Sequence, residues 1–399
     1  MPERFVDDLD RIRAAGLYRE IRPTVGPVDT WVTVDGRRAL LLCSNNYLGL
    51  ASHPALVEAA ARAAREHGVG AGASRLVSGS LPIHHELEER LARFKRTAAA
   101  LLFPSGYHAN IGAVTALAGK GDAVFSDALN HASIIDGCRL SGAAVHVYPH
   151  ADVAALERLV RGSTARRRLI VTDSLFSMDG DQAPLREICS VAAAHDAMVM
   201  VDEAHATGVF GPSGAGIVEA LGLHEQVTVQ MGTLGKALGC AGAFVAGSRA
   251  LVELLVNRAR SFIYTTALPP PVVAAAAAAL DIVEHEPERR QRLLRQAADL
   301  RARLQAQGLA VPDGESPILP VIVGGSPEAL DWSRALLRRG VFVQAIRPPT
   351  VPPGTARLRV TVMATHTPSD LAYAADAFAG VQSEAEPAPA PGLGRPTGA

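Results

Sequence analysis

The chain has little cysteine. Cys43, Cys138, Cys189 and Cys240 stand far apart, and no C-x-x-C pair occurs. This argues against a zinc site or a disulfide framework and suits a reducing compartment. Aromatic residues are also scarce, at 5%, so the core is expected to be packed by small aliphatics, as in α/β proteins. Neither sign of charge prevails: 39 basic side chains face 40 acidic ones for a net charge of −1. Nucleic acid and acidic membrane surfaces are therefore not implied as partners. Long hydrophobic runs are missing too. Met1–Asp8 carries acids and no apolar h-region, unlike a signal peptide. The most apolar helix candidate, Pro271 to Val283, is too short and alanine-rich to span a bilayer. A soluble, cytoplasmic protein is the expectation.

What is present is material for a core. With 399 residues, 48% of them hydrophobic, two or more domains are expected. The most informative stretch runs from Ala197 to Gly239. An apolar run, Ala197 to Val201, stops at Asp202-Glu203-Ala204-His205. A short strand ending in polar groups suits the carboxyl edge of a parallel sheet, where α/β proteins place their sites. Val227 to Met231 reads as another strand, followed by Gly232-Thr233-Leu234-Gly235-Lys236-Ala237. A lysine among small residues has room at its amine, and lysine forms Schiff bases with carbonyl cofactors such as pyridoxal 5'-phosphate (PLP). Asp202 could pair with a pyridinium nitrogen, and Thr233 with its neighbouring glycines offers a hydroxyl and open amides to a phosphate. A lysine at a helix start near a satisfied aspartate is the plain alternative. The segment is not a nucleotide-binding P-loop, because the G-x-x-x-x-G-K-[ST] spacing is absent.

The same pattern recurs upstream. Ala98 to Phe103 reads as a strand, and Pro104-Ser105-Gly106-Tyr107 opens a helix over Ile111 to Ala118; a strand, a glycine turn and a helix start present free amides to an anion. Ala123 to Ser126 leads to Asn130-His131, where His131 is either a cap or a flat partner for a heterocycle. Leu169 to Thr172 ends in Asp173 and the polar turn Phe176 to Asp181. Strands alternating with helices predict a mostly parallel sheet, with polar strand ends gathered at one edge. Gly68 to Arg75 is glycine-rich but follows a helix, so it is no dinucleotide fingerprint. His84 and His85 are adjacent and point apart, a poor metal pair, and no metal site is expected.

Residues 1–22 are expected to form an amphipathic helix, and Trp31 to Leu42 a hairpin turning at Asp35-Gly36. Beyond Pro269 one long helix is expected to about Gln307. It is followed by strands at Leu309 to Val311, Ile318 to Val323 and Val341 to Gln344, and by a helix from Pro327 to Arg339 capped by Ser326. Arg359 lies inside the apolar strand Leu358 to Val362 and there calls for an anion such as a carboxylate, unless it is a solvated surface residue. The expected divisions are an N-terminal helix and hairpin arm (1–43), a large domain (44–270), a small α+β domain (271–382) and a disordered Pro/Ala-rich tail (383–399).

Five motifs, Ser44–Leu50, Asn130–Ser133, Phe176–Gly180, Asp202–His205 and Gly232–Lys236, make residues 5–382 resemble the α-oxoamine synthases. The resemblance implies the PLP-dependent transferase (aspartate aminotransferase-like) fold, an α/β fold with a mostly parallel sheet and a smaller C-terminal domain. It implies a decarboxylative condensation of an amino acid with an acyl thioester, from CoA or an acyl carrier protein. Implied catalytic residues are Lys236, which carries PLP, Asp202 at the ring nitrogen, His131 stacked on the ring, and His205. Ser177 is implied near the phenolic oxygen, and Gly106, Tyr107 and Thr233 at the phosphate, with Thr265 or Thr266 reaching it from the second subunit of a homodimer. Asn45 and Arg359 are implied as the carboxylate clamp, and Arg347, Thr350 and Arg19 as further substrate contacts. Gly70–Ser80 and Ala345–Pro352 resemble one member of the family, while Asp127–His131 and Gly232–Gly239 look more like another. The first member's acyl partner is the expectation, and the second's is the alternative.

Overall fold

A computed structural model describes residues 2–14 and 16–385, with only the backbone of residues 2–4 and 385. Its centre is a seven-stranded sheet. The strands lie in the order Ala99–Phe103, Ala243–Gly247, Val229–Thr233, Met198–Asp202, Arg168–Asp173, Ala123–Asp127 and Ala144–Tyr148. All pairings are parallel except those of Ala243–Gly247. That exception follows from chain length: the link 234–242 holds no helix, and a parallel return needs a crossover. The sequence reading missed this strand and the edge strand Ala144–Tyr148.

Strand residues alternate between two cores. Leu102, Phe125, Ile170, Val201 and Phe244 belong to one apolar cluster, whereas Leu101, Phe103, Val124, Val171, Met200 and Val245 belong to the other. Both faces are covered, which is why the strands read as continuous apolar runs. The pairing Asp173↔Asp202↔Met231 keeps the strand ends in step. Asp127, Asp173, Asp202 and Thr233 thus finish at one edge.

A smaller antiparallel sheet orders Ile318–Gly324, Ala356–Thr361 and Gln344–Ile346. The hairpin Trp31–Val34 and Arg37–Leu41 turns at Asp35 and Gly36, both at positive φ. It is no free arm, because Leu40 and Leu41 pair in parallel with Val341 and Phe342.

Several expected boundaries moved. The first helix, Pro2–Ala14, stops short of residue 22, and Phe5, Leu9 and Ile12 on it are exposed within one chain. The helix after Ser105 begins at Gly106. The long helix is two, Pro270–His285 and Pro287–Ala306, because Pro287 has no N–H to continue the first. Leu309 to Val311 forms no strand. Val341 to Gln344 splits between two sheets. Ser326 is the first residue of its helix, capped by Gly325. The last helix, Pro368–Ala385, takes in the first residues assigned to the tail; the rest of that segment lies outside the described residues. No helix among the described residues is long and apolar enough to cross a membrane.

Candidate active site

The polar strand ends enclose a cavity of about 270 Å³ whose walls include Tyr107, His131, Asp202, His205, Thr233 and Lys236. Asp202 ends the central strand and is 3% exposed. Its Oδ2 accepts a hydrogen bond from Asn110 Nδ2 at 2.7 Å and its Oδ1 one from the Ala204 N–H at 2.8 Å, which fixes the carboxylate plane. Asn110 also donates to Ser133 Oγ at 2.8 Å. His131 caps the helix Ala132–Ser141, accepting from the Ser133 N–H, and its own backbone N–H donates to Asp173 at 2.8 Å. Gly106 starts its helix against Thr233: a Cβ there would lie 2.8 Å from Thr233 Cγ2. Only glycine lets the helix N-terminus, with its free amides, come this close to the strand end.

A second group continues from His205. Its Nδ1 lies 2.7 Å from the Tyr47 hydroxyl. Tyr47 in turn accepts from Arg359 Nη2 at 3.3 Å, and Asn45 Oδ1 accepts from Arg359 Nη1 at 3.0 Å. Arg359 Nε donates to the Ser177 carbonyl. Arg359 is only 7% exposed, and all its partners are neutral; among the described residues no carboxylate pairs with it. A buried guanidinium surrounded by neutral acceptors still lacks its counter-charge. Its neighbour Arg357, by contrast, is paired with Asp179.

Burial dominates the electrostatics. It pushes the Lys236 amine below the ordinary lysine range, against the pull of Asp202 and Asp173, with Arg359 adding to the depression. It lowers His131, opposed by Asp202, and holds His205 well below its usual value, aided by Lys236 and Arg359. Asp173 is raised well above the carboxylate range by burial and by the nearby Asp202. A buried amine with a lowered pKa beside two acids is set up to take and return a proton.

The expected residues therefore divide. Gly106, Tyr107, His131, Asp202, His205, Thr233 and Lys236 meet in one cavity. Asn45 and Arg359 join it through Tyr47 and His205, while Ser177 contributes its carbonyl to Arg359 and does not line the cavity. Arg19 and Arg347 line a separate cavity of about 570 Å³ beside the N-terminal segment, where Arg347 donates to the Gly16 carbonyl. Thr350 lines neither and is exposed. Thr265 and Thr266 border a recess with Arg75, His84 and Phe262. Reading the sequence assigned no part to Tyr47, Asn110, Ser133 or Asp173. Asn110 was within reach, since it lies three residues beyond Tyr107 and so on the same helix face.

The residues fit PLP. Thr233 Oγ1 and Asn110 Oδ1 are buried polar atoms without a hydrogen-bond partner, which marks a place for a polar guest. A fixed carboxylate, a buried amine, a flat imidazole and a glycine-tight helix start form the donor set that the cofactor's ring nitrogen, aldehyde, ring face and phosphate require. Among the described residues no cluster of His, Cys, Asp or Glu could hold a metal ion.

The chain is similar to known proteins. Residues 37–378 match the family described as Aminotransferase class I and II. An 8-amino-7-oxononanoate synthase from Geobacter metallireducens is 53% identical over 96% of this chain and 98% of its own length. A serine palmitoyltransferase from S. paucimobilis with bound PLP-myriocin superposes with a TM-score of 0.90 at 33% identity, covering 95% of this chain and 97% of that one. An 8-amino-7-oxononanoate synthase from Francisella tularensis gives 0.76 at 28% identity, over 87% of this chain and 98% of that one. The chain belongs to the aminotransferase class I and II family, in its α-oxoamine synthase branch.

Proposed function

We propose that this protein condenses L-alanine with a pimeloyl thioester, from CoA or acyl carrier protein, to give 8-amino-7-oxononanoate, CO2 and free thiol in biotin biosynthesis. The observation that carries this reading is the cavity itself: Lys236 and Asp202 share it, and beside it stands Arg359, which no carboxylate among the described residues pairs with. The name shared by relatives at about half identity supports the choice of substrates.

Bound PLP supplies an aldehyde for the amino acid's nitrogen and a ring that takes up the electron pair released at the α-carbon. Lys236 holds the cofactor, and Asp202 keeps a proton on its ring nitrogen. His131 provides a flat wall for the ring. The Gly106–Tyr107 helix start and Thr233 Oγ1 receive the phosphate. Arg359 and Asn45 take the α-carboxylate and aim the α-hydrogen. Lys236 Nζ, whose pKa burial lowers, accepts that proton. A new carbon–carbon bond to the thioester carbonyl expels the thiolate, which takes a proton from solvent, and the resulting β-keto acid loses its carboxylate as CO2. Lys236 Nζ then returns a proton to the α-carbon.

Within one chain Thr265 and Thr266 stand outside the cavity, so a homodimer, with those threonines supplied by the second copy, completes the phosphate site. Cytoplasmic residence fits the substrates. Thiol release with alanine or glycine against acetyl and pimeloyl thioesters tests the assignment. Turnover with alanine and pimeloyl thioester is expected; turnover only with glycine and acetyl-CoA would reassign the chain to a glycine C-acetyltransferase. Protein that is colourless after PLP loading, with nothing trapped on Lys236 by borohydride, would end both readings.

A further inference from the structure

One charged chain outside the cavity takes no part in the chemistry above. His150 follows the edge strand Ala144–Tyr148. Its Nδ1 lies 3.0 Å from Asp127 Oδ1 and its Nε2 lies 2.7 Å from Asp181 Oδ2. Donation from both ring nitrogens requires the imidazolium, and the two carboxylates raise the ring's pKa to about 10. The ring also meets Phe176 edge-on, with centroids 4.4 Å apart.

The two carboxylates come from different strand ends of the large sheet. Asp127 ends its strand, buried, and accepts the N–H groups of Leu129 and Ala151 at 2.8 and 2.9 Å. Asp181 closes the turn Phe176–Asp181: its carbonyl accepts the Phe176 N–H at 2.9 Å, and the Gly180 N–H donates to the Phe176 carbonyl at 2.9 Å. That turn carries the Ser177 carbonyl that receives Arg359 Nε, and Asp179, which pairs with Arg357. An isolated bridge between Leu175 and Gln182 closes its base, and among the described residues the turn itself has no ladder partner. Two arginines tie it to the small sheet; its base is held to the large sheet by the Ser174 N–H donating to the Asp202 carbonyl at 2.8 Å, and its far end by the His150 imidazole.

We propose that His150 is a positioning residue for the substrate carboxylate: by tying Asp181 to Asp127 it fixes the Ser177 carbonyl, and through it the aim of the Arg359 guanidinium. The inference rests on Arg359 being the carboxylate clamp, as proposed above. Without the imidazole, the far end of the turn loses its tie to Asp127, and the acceptor for the Nε–H of Arg359 is less firmly fixed.

His150→Phe keeps a ring against Phe176 and removes both donors. Steady-state kinetics are run on the PLP-loaded protein with alanine and thioester varied separately. The alanine KM is expected to rise about tenfold, the loss of roughly one well-aimed charged hydrogen bond, with kcat and the thioester KM within about threefold of wild type. Asp181→Ala, at a half-exposed side chain, should reproduce the rise. Asp181→Asn keeps an acceptor oxygen for Nε2–H and should restore an alanine KM near wild type. In the cofactor-free protein, hydrogen exchange should quicken at the Phe176 and Gly180 amides of His150→Phe, and not along Arg168–Asp173. An unchanged alanine KM would overturn the proposal. So would a uniform loss of kcat, both KM values and thermal stability, which marks a merely structural role. Arg359→Leu run alongside separates the two ideas. If it leaves the alanine KM unchanged, the clamp reading has failed; if it raises that KM and His150→Phe does not, only the positioning role has.

Discussion

Arg359→Leu puts a number on the clamp. The wild-type guanidinium has five N–H donors. Ser177, Asn45 and Tyr47 engage three of its nitrogens through neutral oxygens, leaving donors and the whole positive charge for a guest. A hydrogen bond to a charged group contributes about 1.5–3 kcal/mol. At tenfold per 1.4 kcal/mol, its loss should raise the alanine KM about 10- to 150-fold. Arg359→Lys keeps the charge and loses the fork, so an intermediate rise is expected. Thiol release is followed at saturating thioester with alanine varied, after cofactor occupancy has been checked by absorbance. Occupancy should hold, because Arg359 does not line the cavity around Lys236. A leucine variant with full cofactor and an alanine KM within about threefold of wild type would refute the reasoning, since removing the cation from a buried carboxylate pair costs more than that.

The other expectations are briefer. Lys236→Ala should abolish turnover and the adduct trapped by borohydride, even where cofactor binds without a covalent link; an active variant would contradict the Schiff-base role. Lys95 and Glu203 form an ion pair at 2.7 Å with both side chains wholly buried, so Lys95→Met should cost about 3–5 kcal/mol in urea unfolding by stranding the carboxylate. Lys95→Met with Glu203→Leu should recover most of that loss, and a double variant as weak as the single would dismiss the pair. His150 has a folded pKa raised to about 10 from 6.5. Its contribution to stability is complete below about 6.5 and fades as pH climbs towards 10. Urea midpoints should fall across that window in the wild type and stay flatter in His150→Phe; parallel slopes would show that the imidazolium contributes nothing.

Much of the site was legible because each contributor ends an apolar run. Asp202, Asp173 and Thr233 stop strands, and the parallel register brings such ends together without any long-range knowledge. Arg359 was legible from its apolar neighbours. Glu203 was not: beside Asp202 it looks like a second site acid, yet successive residues face opposite ways. It turns away to meet Lys95, which lies 108 positions earlier. Tyr47 was hidden for a similar reason, since its roles towards His205 and Arg359 exist only once three remote segments meet. The antiparallel strand Ala243–Gly247 depended on counting the link before it, not on its composition. Boundaries failed where local chemistry overrode pattern, as at Pro287.

The pairing of Leu40–Leu41 with Val341–Phe342 has a consequence for biosynthesis. The hairpin leaves the ribosome early, yet one edge of it has nothing to bond until some three hundred more residues have been added. The Thr361 N–H, which reaches back to the Leu42 carbonyl, arrives later still, along with Arg359. A nascent chain can thus finish its central sheet, and with it the lysine pocket, before it has any means of gripping an amino acid. Cofactor capture could precede substrate capture during synthesis, and C-terminally truncated products would be expected to turn yellow without turning over.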